Sequence, residues 1–103
     1  MAEQTVPNLQ PYDYLFRSTS DGIIIADKAG LIKEINPAGA GMLDVAREEA
    51  IGKKPKFAFK QNPTLVNLCT REGEQTLDVR LPRRRLAVGI ASTLESGERI
   101  VVL

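Results

Sequence analysis

Asp21-Gly22-Ile23-Ile24-Ile25-Ala26-Asp27-Lys28-Ala29-Gly30-Leu31-Ile32-Lys33-Glu34-Ile35-Asn36-Pro37 is the stretch on which the fold turns. Ile23 to Ala26 is a run rich in β-branched residues and reads as a buried strand. Asp27 to Gly30 supplies turn chemistry, with Gly30 free to take positive φ, and Leu31 to Ile35 reads as the returning strand. Asn36-Pro37 then starts a helix. The Asn side chain accepts from an orphan backbone N–H, and Pro at the first helical position forfeits no bond.

Working outward, residues 1–8 carry Pro7 and no periodicity, which predicts a flexible lead-in. Leu9, Tyr12, Leu15 and Phe16 then mark one face of an amphipathic helix over 9–19, leaving 20–103 as the core of a single domain. Beyond Pro37 a short helix runs through Met42 and Leu43, and Arg47 to Ile51 adds another turn closed by Gly52. Lys53 to Lys60 reads as irregular, anchored by Phe57 and Phe59. Asn62-Pro63 repeats the helix-start signal for a helix carrying Leu65, Val66, Leu68 and Cys69 to about Gly73. Three strands follow: Leu77, Val79 and Leu81 alternate with polar residues, Leu86, Val88 and Ile90 alternate with Ala87, Gly89 and Ala91, and Ile100 to Leu103 are apolar throughout. Pro82-Arg83-Arg84 and Glu95 to Glu98 are the turns. This order predicts an α+β fold with one antiparallel sheet and helices grouped on one face.

Bulk properties narrow the function. The chain has 103 residues, 43% of them apolar, enough for one core and too few for two. Fourteen Lys and Arg face thirteen Asp and Glu, so no global field recruits nucleic acid. No apolar run reaches the ~20 residues that span a bilayer, and the start lacks a secretory pattern, so the expectation is a cytoplasmic protein without direct membrane insertion. A lone cysteine, Cys69, fits a reducing compartment. The close on Ile100-Val101-Val102-Leu103 reads as a fragment of a longer protein. A His base, a paired-carboxylate motif, metal-ligand spacing and a phosphate-cradling glycine loop are all missing, so the expectation is no catalytic residue, no metal and no enzyme. Asp21 and Asp27 read as turn residues. The basic groups Arg80, Arg83, Arg84, Arg85 and Lys53, Lys54, Lys56, Lys60 read as solvated turn and loop charges.

The element order, together with Leu15-Phe16-Arg17-Ser18, Asp21 to Asp27, Gly30-Leu31-Ile32, Ile35-Asn36-Pro37-Ala38, Met42-Leu43 and Glu48-Glu49-Ala50-Ile51-Gly52-Lys53, resembles the PAS domain family. The resemblance is dense over residues 15–53 and rests afterwards on the pattern of one longer helix and three strands. It implies a PAS (profilin-like) fold: a five-stranded antiparallel sheet in order 2-1-5-4-3, short helices cupped over one face and an N-terminal helix. It further implies a sensor or interaction module of a signal-transduction protein such as a two-component histidine kinase, acting as a homodimer with a downstream output domain. On that reading Asn36-Pro37 either caps a helix or also relays a bound-ligand signal.

The resemblance also allows cofactors to be weighed. With no His in the chain, a histidine-ligated heme is excluded. Where flavin photoreceptors carry a reactive Asn-Cys-Arg motif this chain reads Lys53-Lys54-Pro55, which does not fit a flavin adduct. Cys69 has no nearby phenol to suggest a coumarate-type chromophore and no basic partner fixed by sequence to activate it. The expectation is no cofactor.

Candidates to line the cup are Ile23, Ile25, Ile35, Met42, Leu43, Leu65, Leu68, Leu77, Val79, Val88 and Ile90, enclosing either a filled core or a site for a small apolar ligand. Their alternating partners Ile24, Ala26, Ala87, Gly89, Ala91, Val101 and Leu103 then point away from the cup. That outer surface is either covered within the same chain by the Leu9, Tyr12, Leu15 and Phe16 stripe or shared with a second copy, in which case Leu9, Tyr12, Leu15 and Phe16 together with Ile24, Ala87, Gly89, Ala91, Val101 and Leu103 form the expected dimer interface. The runner-up function is a receptor holding a small apolar ligand.

Overall fold

A computed structural model describes the backbone of residues 11–103 and the side chains from Tyr14 onward. The expected lead-in over 1–8 and the interface positions Leu9 and, for its side chain, Tyr12 lie outside the described residues. Helix α1 spans Pro11–Ser18 and the hairpin follows as β1 (Ile23–Ala26) and β2 (Ile32–Ile35). Four short helices come next: α2 (Pro37–Leu43), α3 (Arg47–Ala50), α4 (Pro55–Ala58) and α5 (Pro63–Thr70). Strands β3 (Gln75–Leu81), β4 (Arg85–Thr93) and β5 (Arg99–Val102) complete one sheet in the order β2-β1-β5-β4-β3. Every neighbouring pair is antiparallel.

Local chemistry explains the elements. Asp27 Oδ1 accepts from the Ala29 and Leu31 N–H groups, closing the β1–β2 turn with Gly30 at φ 89°. Asn36 and Asn62 cap α2 and α5 by accepting from the Gly39 and Leu65 N–H groups, each with Pro at the first helical turn. The expected irregular stretch over Lys53–Lys60 contains a helical turn, α4, because Pro55 pre-sets the dihedral of a first helical position. Of its two aromatic anchors, Phe59 is buried, whereas Phe57 is exposed with Lys56 Nζ 5.2 Å from its ring centroid.

The core lies between the helices and one face of the sheet. Ile24, Ala26, Val101, Leu103 and Ala91 on the central strands, Ile32 and Ile35 on β2, and Val79 and Leu81 on β3 are buried there. They meet Leu43, Ala50, Phe59, Leu65, Leu68 and Cys69 of the helical layer. Ile32 and Ile35 both face inward although three positions separate them. A bulge makes this possible: Ile25 pairs with Glu34 and Ala26 with Ile32, leaving Lys33 as the extra residue.

On β1, β4 and β5 the two faces of the sheet are exchanged relative to the sequence-based expectation, so that Ala26 too is buried, whereas Ile35 on β2 and Leu77 and Val79 on β3 face the core as expected. Val88 and Ile90, expected to line the cup, point outward and are 55% and 51% exposed; Ile23 and Ile25, expected beside them, are half-buried on that same outer face. Ile24, Gly89, Ala91, Val101 and Leu103, expected to face away and to build a dimer interface, form the floor of the core, with Ala87 packed against it. The reason is the approach of α5. A Cβ at Gly89 would stand 2.5 Å from Leu68 Cδ1, 3.0 Å from Val79 Cγ2 and 3.3 Å from Leu103 Cδ2. Small residues sit under α5 because its Leu68 occupies the volume that a larger strand residue would take.

Candidate functional site

Two places combine unusual burial or exposure with defined chemistry: the outer face of the sheet with α1 beside it, and the junction around Asn36. On the outer face the register sets Ile23 beside Val102 and Val102 beside Ile90, while Ile25 lies beside Ile100. Cross-strand partners share a face, so these side chains with Val88 and Leu86 form one aliphatic surface. Leu86 is 69% exposed, and Tyr14 and Leu15 of α1 are also exposed. On β3 the neighbours of Val88 and Leu86 are Asp78 and Arg80, so opposite charges two residues apart border the aliphatic surface.

A groove of about 1180 Å3 runs between α1 and this face. Its apolar wall comes from Leu15, Phe16, Ile23, Ile25 and Ile100, and its polar rim includes Arg17, Lys33, Glu34 and Arg47. Glu34 is held by Arg47, whose Nε and Nη2 donate to its two oxygens at 3.0 and 2.7 Å. Lys33 is bonded to Glu98, and each partner favours the charged form of the other, raising the lysine pKa and lowering that of the glutamate.

The space between sheet and helices, expected to be either a filled core or a site for a small apolar ligand, is occupied by side chains. Ile35, Leu43, Leu65, Leu68 and Val79 of the expected lining are in the core cluster, and Met42 and Leu77 pack against it. A second, smaller recess of about 550 Å3 is lined by Leu43, Phe59, Leu65 and Leu81 beside Lys60, Asn62 and Arg80.

Asn36 is fully buried, and its amide is used on both sides. Oδ1 accepts from the Gly39 N–H and the Ile23 N–H, each at 2.8 Å. Nδ2 donates to the Phe16 and Asp21 carbonyls, each at 2.8 Å. Its backbone N–H donates to the Ile23 carbonyl at 3.0 Å. One side chain therefore joins the end of α1, the loop before β1, the start of β1 and the start of α2. Close backbone approach makes room for this: a Cβ at Gly22 would meet Gly39 Cα at 3.0 Å, and one at Gly39 would meet Asn36 Oδ1 at 3.1 Å. The helix-start signal identifies the acceptor half of this junction. The donor half depends on where α1 ends in space and has no local signature.

Arg99 is the buried charge that sequence reading missed. It is 4% exposed and donates from Nε to the Leu68 carbonyl, from Nη1 to the Gly73 carbonyl and Thr93 Oγ1 at 2.6 and 2.7 Å, and from Nη2 to Gln75 Oε1. Two of these acceptors belong to the C-terminal end of α5 and the turn after it, where orphan carbonyls and the helix dipole favour a cation. The signal is the parity of β5: Arg99 is in phase with the buried Val101. Cys69 nearby is buried, and desolvation pushes its thiol up to about 12 despite the opposing pull of Arg99. That makes it an inert core residue.

Among the described residues no three His, Cys, Asp or Glu side chains gather as a metal site, and no helix is long and apolar enough to cross a membrane.

No family model matches the sequence, and no curated protein matches it at the sequence level. Solved structures do match in shape. The PAS domain of nitrogen regulation protein NR(II) from Vibrio parahaemolyticus superposes with TM-score 0.63 at 13% identity over 91% of this chain and 95% of that one. A domain of the sensory box sensor histidine kinase/response regulator from Geobacter sulfurreducens gives 0.56 at 19% identity over 96% and 91%. The PAS domain of an HTR-like protein from Haloarcula marismortui gives 0.54 at 15% over 99% and 96%. At such identities the agreement concerns architecture, and with the sheet order β2-β1-β5-β4-β3 and the helices on one face of that sheet it establishes that this chain has the PAS fold.

Proposed function

We propose that this chain is a regulatory, non-catalytic PAS module that pairs with a second copy through the outer face of its sheet and α1, and so relays a signal to an output domain of a larger signalling protein. The observation that carries the reading is the aliphatic surface of Leu86, Val88 and Ile90, which is more than half exposed although it continues across the sheet into Val102, Ile100, Ile23 and Ile25. Fully burying one such side chain is worth about 1.5–3 kcal/mol, so three left in water favour a covering partner. A second copy fits as that partner because Asp78 and Arg80 border the surface with opposite charges, and a two-fold axis can bring each against the other's mate. Several of the similar folds come from proteins named as sensor kinases or regulators, which supports a signalling context and a histidine kinase as one form of output.

The alternative, a receptor for a small apolar ligand held between helices and sheet, is disfavoured by the packing of Leu65, Leu68, Val79 and Leu103 through that space. Sedimentation velocity of the chain and of Ile90→Glu tests the proposal. The expected result is a dimer at micromolar concentration that Ile90→Glu converts to a folded monomer. A wild-type chain that stays monomeric at 100-fold higher concentration refutes pairing, and retained extra mass in native mass spectrometry would return the receptor reading.

A further inference from the structure

From Ala50 to Arg71, and again from Val79 to Leu94, the sequence carries Lys and Arg but no Asp or Glu. The fold brings the two stretches together. Phe59 and Lys60 from the first wall the smaller recess with Arg80, Leu81 and Pro82 from the second, Asp44 being the carboxylate in that wall, and Asn62 Nδ2 donates to the Arg80 carbonyl at 2.9 Å. Within the first stretch α4 sorts its residues by side. Pro55 and Phe59 lie four positions apart, joined by the Phe59 N–H to the Pro55 carbonyl, and both are buried. That turns Lys56, Phe57 and Lys60 outward, and Lys53 and Lys54 are exposed just before the turn. Among the described residues none of these four lysines is in an ion pair, and the α3 carboxylates Glu48 and Glu49 are exposed without engaging them. Phe57 thus stands in water among cations, with Lys56 over its ring.

We propose that α4 and the lysines around it are a docking surface for an anionic membrane, with Phe57 entering the boundary between headgroups and acyl chains and Lys53, Lys54, Lys56 and Lys60 facing the lipid charges. An anionic bilayer matches both halves of this surface: its surface potential attracts the lysines, and its interface takes up an aromatic ring. Nucleic acid matches the charge but not the ring, since Lys56 covers a face on which a base would stack. The turn carrying the exposed Arg83 and Arg84 continues the positive surface past Pro82. The contact is peripheral, because no described helix is long and apolar enough to span a bilayer. It is also local, because the chain as a whole is nearly neutral. Docking does not depend on pairing with a second copy.

The chain has no Trp, so Phe57→Trp introduces a single indole that reports its own depth. On vesicles of phosphatidylcholine with about one-third phosphatidylserine, its emission should shift to the blue and be quenched by lipids brominated along their acyl chains. Neither change should occur on phosphatidylcholine alone. Sedimentation with the same vesicles measures affinity. A lysine close to an anionic surface contributes about fivefold, so Lys56→Gln should bind about fivefold more weakly than the parent. Arg17→Gln, which removes the same charge from α1, should stay within about twofold, because attraction to the surface fades over a Debye length. Binding no tighter to anionic than to neutral vesicles, an unshifted indole, or an equal loss in Arg17→Gln overturns the proposal. So does release from the vesicles by a single-stranded oligonucleotide at matched phosphate concentration, which would assign the lysines to nucleic acid.

Discussion

Replacing Gly89 by Ala is expected to destabilise the fold by about 1–2 kcal/mol, although it adds apolar surface and strand propensity. The new methyl would stand 2.5 Å from Leu68 Cδ1 and 3.0 Å from Val79 Cγ2, against an unstrained carbon contact of ~3.5–4 Å. Leu68 and Val79 are both fully buried, so neither relieves the overlap by swinging into solvent, and overpacking of this kind costs about 1–3 kcal/mol. Against it stands the gain of about 0.4–1 kcal/mol from stiffening the unfolded chain. Gly89 does not have positive φ, so backbone strain adds nothing. A double-mutant cycle isolates the contact: Leu68→Ala alone should cost about 2–5 kcal/mol, and less in the Gly89→Ala background because the two changes are complementary. Urea titration of the four proteins, done on a monomeric background, measures both quantities. A Gly89→Ala chain as stable as the parent, together with zero coupling to Leu68, would refute the claim that β4 turns its small residues toward α5.

The remaining predictions concern buried polar groups. Cys69 keeps its proton to about pH 12 in the folded chain while an exposed thiol loses it near 9. A raised pKa means that the associated stability is present below the unfolded value and lost above it, so stability should fall by up to about 1.4 kcal/mol per pH unit between roughly pH 9 and 12. Cys69→Ala should flatten that slope by comparison with the parent, and parallel alkaline slopes count against it. Native Cys69 should also resist thiol reagents at pH 8, with labelling that follows the unfolding curve in urea. Arg99→Lys should cost about 1–3 kcal/mol, because one ammonium cannot reach the Leu68 and Gly73 carbonyls and Thr93 together. Unchanged thermal stability would contradict that role.

Much of the fold is legible from local chemistry. Asn36-Pro37 and Asn62-Pro63 mark their helices because a cap and a fixed dihedral act within four residues. Asp27 and Gly30 close their turn for the same reason. What fails is whatever needs a distant partner. The inward phase of both Ile32 and Ile35 depends on a bulge seen only in the pairing with β1. Asn36 reads as a cap from sequence, and its donors go unnoticed because Phe16 lies twenty positions away. Arg99 looks like an ordinary charge at a strand start until its acceptors, three of them twenty-four to thirty-one positions earlier along the chain, close around it.

The exchanged faces show a different failure, one that the sequence itself resolves. Bulk suggests that Leu86, Val88 and Ile90 belong inside and Ala87, Gly89 and Ala91 outside. The β3–β4 connection says otherwise: three residues, Pro82 to Arg84, separate Leu81 from its partner Arg85, and each step along one strand is matched by one along the other. Leu77 therefore lies beside Gly89 and Val79 beside Ala87, so burying the apolar set of β3 buries the small set of β4. Asp78 and Arg80, which must stay wet, carry Val88 and Leu86 out with them. The core of one copy thus leaves out the three largest apolar side chains of β4. Three large apolar side chains kept in water favour a partner that covers the outer face, and on this the proposed pairing rests.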